Sequence, residues 1–356
     1  MIESVNLSLS SACGANCIFC PANRGTRIKQ KIMPFETAKK VIDEVSSPEF
    51  RKKYNMQRME VGENGDAFIN PDWAKVLRYI REKLPDIRII LHSNFQLFTR
   101  DKAEIIFGEN LVDRFTCNID GSTKENYHNV KRLDYENTMK NLKDFAETRK
   151  KYDRKSPLKV LVLTLNNYIN TIHKNFGVFP QKVTDKCLKD VPDDFDAIKK
   201  QLEEILDVKS GDCIVKSWVY GWAEREQIDV SKINYKKYAC PMLIRLDRDV
   251  FIAPDGTWYA CCLDANNELV VGNVNENTID ELYTGECRKN MMSAIKKQEF
   301  ERVGGPCKTV NCCQLVHKNR LLTLAARILY KRPRLLKLAI LTNKDARDIS
   351  ALNIKS

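Results

Sequence analysis

The chain is 356 residues long with 43% hydrophobic and 30% charged residues, which suits one large domain plus a smaller one and excludes a disordered or fibrous protein. Its formal net charge is +12, but residues 317–356 hold ten Lys or Arg against two Asp, so the body is close to neutral and any nucleic-acid contact is confined to the tail. Neither a leader nor an apolar run of membrane-spanning length is evident, so the expected compartment is the cytoplasm, where 13 cysteines serve as thiols and metal ligands, not disulfides.

From residue 1 to about 220, short β-branched segments alternate with polar amphipathic ones, the rhythm of an α/β protein with a parallel sheet wrapped by helices. Strands are expected at residues 4–9, 58–61, 87–92, 115–119, 158–164 and 213–220. Helices are expected at 34–45, with Pro34 near the first turn where its missing N–H costs little, and at 73–83 and 136–152. Chemistry in such folds gathers at the carboxyl ends of the strands.

Directly after the first strand stands Cys13-Gly14-Ala15-Asn16-Cys17-Ile18-Phe19-Cys20. Three thiolates at this spacing hold three irons of a [4Fe-4S] cube and leave the fourth open to a small molecule, whereas a closed zinc site wants a fourth ligand from a second nearby pair. The triad and its position resemble the radical S-adenosylmethionine (radical SAM) superfamily, with Phe19 at the aromatic position before the third cysteine. The resemblance implies an open, partial (β/α)6 TIM-type barrel. It also implies that the open iron chelates S-adenosylmethionine and that one electron, from a reductase such as flavodoxin or ferredoxin, cleaves it to a 5'-deoxyadenosyl radical.

The strand ends extend the likeness. Gly62-Glu63-Asn64-Gly65-Asp66-Ala67 resembles the superfamily's Gly-Gly-Glu-Pro region, where backbone and a carboxylate receive the methionyl ammonium; Gly65 and Asp66 are the matching residues and Glu63 is a competing carboxylate. Leu91-His92-Ser93-Asn94-Phe95 is similar to a Thr-Asn-Gly ending, with Phe95 in the glycine's place. Cys117-Asn118-Ile119-Asp120-Gly121 resembles Ser-Ile-Asp-Gly. Ser93, Asn118 and Asp120 are thus the expected ribose and methionyl contacts. Lys131 or Arg132 reads either as a partner of the methionyl carboxylate or as a solvated basic pair, and Cys117 as a buried strand residue.

Beyond residue 235 Cys240, Cys261, Cys262, Cys287, Cys307, Cys312 and Cys313 crowd together. Pro254-Asp255-Gly256 reads as a hairpin turn delivering a cysteine on the second strand, and Gly272-Asn273 as another turn. This segment resembles the SPASM domain that follows many radical SAM barrels. The resemblance implies that Cys240, Cys261, Cys307 and Cys312 ligate one auxiliary [4Fe-4S] cluster, the smaller, twitch-like variant. The doublets leave Cys262 and Cys313 as alternatives, the four residues between Cys307 and Cys312 leave a zinc site open, and Cys287 is most simply a helix residue. The expected domains are 1–225 for the barrel, 226–316 for the cluster domain and 317–356 for the tail.

The connection 166–211, with Cys187 and the acidic Asp190, Asp193, Asp194 and Asp196, reads as a lid or substrate platform, or as an insertion with a surface helix at 195–206. Tyr220 and Trp222 either flank substrate or pack the domain junction, and Cys187 or Cys213 is either a hydrogen-atom donor or an inert buried thiol. The tail, 321–338, is basic and amphipathic, suited to an anionic membrane surface or to packing on its own barrel. The expected activity is hydrogen abstraction from an unactivated carbon of a peptide or sugar-type substrate, giving oxidation, epimerisation or a cross-link. The alternative is a zinc- and nucleic-acid-binding protein using the late cysteines and basic tail.

Overall fold

Strand parity decides which side of the sheet is apolar. In β1 (Ser4–Leu7), Val5 and Leu7 join the main core while Ser4 and Asn6 are equally buried on the opposite side, because successive side chains of a strand point to opposite faces. The parallel register carries this across β2 (Arg58–Val61), β3 (Arg88–His92), β4 (Arg114–Asn118), β5 (Leu158–Thr164) and β6 (Cys213–Trp218). Leu7 aligns with Val61, Leu91 and Phe115 in turn, and Asn6 with Glu60, Ile90 and Arg114. One face is therefore aliphatic and aromatic, and the other carries charge. The computed structural model describes residues 1–18, 20, 31–164, 194–218, 238–240, 242–264, 267–308, 316–317 and 321.

Helices α1 (Phe35–Ser46), α2 (Pro48–Lys53), α3 (Trp73–Lys83), α4 (Arg100–Gly108), α5 (Lys124–Lys131) and α6 (Tyr135–Lys151) link these strands. Val41, Ile42, Val76, Leu77, Ile80, Ile106 and Leu142 share one core with Leu7, Val61 and Leu91, so the helices cover the apolar face. Phe95, Phe98, Phe107, Phe115 and Phe145 form a cluster of mostly edge-to-face rings within it, with Phe95 stacked on Phe98. Each such ring removed from water stabilises the fold by roughly 1.5–3 kcal/mol. The expected helices lie within one residue of α1, α3 and α6. The first strand ends at Leu7 rather than residue 9, and the last two residues of the expected sixth strand lie outside the described residues.

The late segment extends this same sheet. After α7 (Phe195–Glu203), β7 (Tyr238–Ala239) and α8 (Leu243–Arg248), β8 (Asp249–Ile252) lies parallel to β1 on the side away from β2. Next come β9 (Thr257–Tyr259) and β10 (Val270–Asn273), each antiparallel to its predecessor, and β11 (Val316–His317) pairs with β7. The main sheet has the order β10-β9-β8-β1-β2-β3-β4-β5-β6 and is open, with β10 and β6 at its edges. The expected hairpin is present, with Gly256 at φ +85°, which glycine adopts without steric cost. The expected turn at Gly272-Asn273 is corrected: both residues belong to β10, where a Cβ on Gly272 would strike Leu282, and the chain turns after Asn273. Among the described residues no helix is long and apolar enough to cross a membrane.

Candidate functional site

The cysteine loop leaves the carboxyl end of β1 and is pinned from two sides. The Asn16 N–H donates to the Lys131 carbonyl at 3.0 Å and the Ile18 N–H to that of Val130 at 2.9 Å, tying the loop to the end of α5. On the other side the Asp66 N–H donates to the Ala12 carbonyl at 2.9 Å. Gly65 sits there at φ +73°, and a Cβ on it would strike the carbonyl oxygens of Ser10 and Ala12. The predicted glycine-rich region is thus packed directly on the loop that carries Cys13, Cys17 and Cys20.

Cys17 is buried, and Cys13 and Cys20 are half-buried. Burial pushes the Cys17 thiol up to about 12 and raises Cys13 as well; Cys17 also feels Cys20 and Cys13 electrostatically, and Cys13 feels Cys20. Protonated, these sulfurs are poor ligands; a metal that displaces the protons removes the penalty. Among the described residues no three His, Cys, Asp or Glu side chains converge on a point suited to one metal ion. A cube takes each thiolate on a different iron, so its sulfurs stand farther apart than the ligands of one ion. Three mutually close thiols on one loop, none of them in a disulfide, fit that donor set.

The Asp66 carboxyl is fully buried, and burial raises it to about 6. Its Oδ1 accepts from the Phe68 N–H at 3.0 Å, capping the turn at Ala67–Ile69, while Oδ2 has no hydrogen-bond partner among the described residues. One oxygen is structural and the other is left for a donor. Burial also raises Glu63, whose nearest cation is Arg245 at 3.6 Å.

At the end of β3 the Ser93 hydroxyl accepts from the Phe95 N–H at 3.1 Å, and the Asn94 amide reaches Cys13 Sγ at 3.4 Å. At the end of β4, Asp120 is buried and paired with Lys131 at 3.1 Å, and Lys131 also donates to the Asn118 carbonyl at 3.3 Å. The reading of Lys131 as solvated is corrected, since it is 3% exposed; Arg132 is the solvent-facing member, in the left-handed region after α5. Cys117 is buried in the core, as expected.

A charged chain on the polar face escaped the sequence reading. His92 Nε2 lies 3.0 Å from Glu60 Oε2, Arg58 donates to Glu60 Oε1 at 2.8 Å and to Asp249 at 3.1 Å, and Arg245 donates to Asp249 at 2.8 Å. Burial would raise Glu60, but the bonds from His92 and Arg58 outweigh it and hold the carboxyl at about 2. The available signal was parity, because residues 58 and 60 must share a face.

Arg245 joins this chain to the second cysteine group, its guanidinium 3.5 Å from the buried Cys262 sulfur. Cys262 packs with Phe251, Ala253 and Tyr259, whereas Cys261 packs against the main core, and the two thiols are hydrogen-bonded to each other, which with burial raises Cys262. Burial raises Cys240, and pushes Cys307 up to about 12 with Cys240 adding to it. Cys287 is exposed on α10 (Glu286–Lys297), which follows α9 (Ile279–Thr284). Asp194 anchors the start of α7 to the Ser122 N–H at 2.7 Å, Asp196 is exposed, and Cys213 is half-buried in β6. Phe19, Cys187, Asp190, Asp193, Tyr220, Trp222, Cys312, Cys313 and the predicted tail helices lie outside the described residues.

Two family models match the sequence. Residues 7–162 match the Radical SAM superfamily, and residues 240–313 match SPASM, an iron-sulfur cluster-binding domain. None of the curated proteins matches the chain. Among solved structures, anSMEcpe with bound AdoMet superposes with a TM-score of 0.56 at 16% identity, covering 99% of this chain and 98% of that one. BtrN in complex with AdoMet and 2-DOIA gives 0.51 at 12% identity, with 86% and 92% covered. Streptococcus suis SuiB bound to the precursor peptide SuiA gives 0.53 at 14% identity, with 88% and 71% covered. At these identities the likeness is one of fold.

Proposed function

Because the chain belongs to the radical SAM superfamily and carries a SPASM auxiliary-cluster domain, we propose that it abstracts hydrogen from an unactivated carbon of a peptide or sugar-type substrate, leading to oxidation, epimerisation or a cross-link. The observation that carries this reading is the loop of three thiols clamped between α5 and Gly65-Asp66. When bound, the cluster and S-adenosylmethionine supply the radical; the protein orients substrate and excludes water.

In this proposal Cys13, Cys17 and Cys20 hold the cleaving cluster. The spare oxygen of Asp66 and the backbone at Gly65 receive the methionyl amine, and Ser93, Asn118 and Asp120 serve the ribose and methionyl groups, with Phe19 beside the cluster. Cys240, Cys261, Cys307 and Cys312 hold the auxiliary cluster, Cys262 and Cys313 being the alternates. Structures of SuiB with the peptide SuiA and of anSMEcpe with the Cp18Cys peptide support the peptide arm. Domains at 1–225, 226–316 and 317–356, a cytoplasmic location, a flavodoxin or ferredoxin reductase and a membrane-facing tail belong to the same reading.

Anaerobic reconstitution with iron and sulfide, then reduction with dithionite in the presence of S-adenosylmethionine, tests it. A brown protein that releases 5'-deoxyadenosine, and a Cys13→Ala/Cys17→Ala/Cys20→Ala variant that does not, is the expected result. A colourless zinc protein without 5'-deoxyadenosine overturns it.

A further inference from the structure

The amide of Asn94 is held so that only its NH2 group faces Cys13. Its Oδ1 accepts from the Gln96 N–H at 2.9 Å, which fixes which end of the amide is oxygen, and its Nδ2 then stands 3.4 Å from Cys13 Sγ. The turn that presents it is unusual. Phe95 lies at φ +62°, in the left-handed region that is sterically unfavourable for a bulky residue. It is fully buried, stacked on Phe98 with centroids 4.8 Å apart and edge-on to Phe145 at 5.5 Å. The buried Asn141 amide donates to both the Phe95 and Gln96 carbonyls, at 2.8 and 3.2 Å. Strained backbone persists where its surroundings over-determine it, and such places cluster at functional sites.

We propose that Asn94 is a positioning residue that donates its side-chain N–H to the sulfur of Cys13, with the Phe95 ring as the strut that aims it. This rests on the proposed role of Cys13 as a ligand of the cleaving cluster. Hydrogen bonds to cluster sulfurs withdraw negative charge from the iron-sulfur unit and ease its reduction. The electron that starts each turnover must enter this cluster, so the amide sets how readily it does.

Two variants of the full chain test this. Asn94→Leu removes the donor at similar size; Asn94→Asp keeps the acceptor for Gln96 and places a protonless oxygen at the sulfur. The readout is potentiometric titration followed by electron paramagnetic resonance, using the signal that changes when S-adenosylmethionine is added. The expected result is a midpoint shifted to more negative potential in both, further in Asn94→Asp, with the auxiliary cluster unmoved and iron content as in the parent. A second measurement needs no cluster: in the apoprotein, alkylation of Cys13 slows several-fold in Asn94→Leu while that of Cys20 does not. Unchanged midpoints in both variants, or unchanged Cys13 alkylation, overturn the proposal. A parent protein without any signal responsive to S-adenosylmethionine instead overturns the reading of Cys13 as a ligand.

Discussion

Lys131 buries its ammonium 3.1 Å from the Asp120 carboxylate, and the two side chains are 4% and 0% exposed. The Lys131 backbone carbonyl meanwhile holds the cysteine loop through the Asn16 N–H. One residue thus ties the end of β4 to the loop after β1. Removing one partner of a buried pair leaves an uncompensated charge, at a cost of about 3–5 kcal/mol. Lys131→Met should destabilise the chain by that much in urea unfolding, and Lys131→Met/Asp120→Leu by clearly less. Equal losses in the single and double variants would show that the pair is not coupled.

Gly65 has no room for a side chain. Its φ of +73° is unfavourable for alanine, and the obstructing atoms are backbone carbonyls that cannot swing aside. Gly65→Ala should therefore lift the 62–66 segment off the cysteine loop. The expected outcome is a large loss of iron incorporation on reconstitution, while far-ultraviolet circular dichroism stays near that of the parent. Full iron incorporation would show that this packing is dispensable.

Glu60 gives a pH dependence of definite sign. Its folded value of about 2 lies below the ordinary carboxylate range, so its contribution is fully present above the unfolded value and is lost as pH falls towards 2. The shift corresponds to about 3 kcal/mol. Glu60→Gln should flatten the acid limb of stability between about pH 5 and 2. A parent-like acid limb in that variant would place the charge stabilisation elsewhere in the network.

Local pattern made much of this fold legible, and long-range placement hid the rest. The segments 58–61, 73–83 and 158–164 coincide with β2, α3 and β5 because apolar periodicity and polar flanks bound them sharply. The cysteine triad and Gly65-Asp66 stood out as candidates for a similar reason, since residue type and order carry the chemistry, but their packing on each other did not. Lys131 was not. A Lys-Arg pair looks solvated until β4 and α5 bring Asp120 against it. Nor does any local signal say that β8 will lie parallel to β1, across more than 240 residues, and so bring Asp249 to Arg58 and Arg245 to Cys262. Helices α2, α4 and α5 also escaped, being short segments of six, nine and eight residues with too few turns to show a clear period.

Phe95 offers an inverted glycine test. At ordinary positions glycine is less stable than alanine by roughly 0.5–1 kcal/mol, through the extra freedom of its unfolded chain. At φ +62° the order should reverse, because alanine keeps the left-handed penalty and glycine does not. Both Phe95→Ala and Phe95→Gly empty the ring's place among Phe98 and Phe145, at a cost of about 3–5 kcal/mol. The backbone term then separates them, with Phe95→Gly more stable than Phe95→Ala in urea unfolding of the apoprotein. If alanine were the more stable of the two, the turn would have relaxed out of the left-handed region once the ring was gone. The ring alone would then be what forces the backbone, and the Asn141 amide would be too weak to hold the turn that carries Asn94.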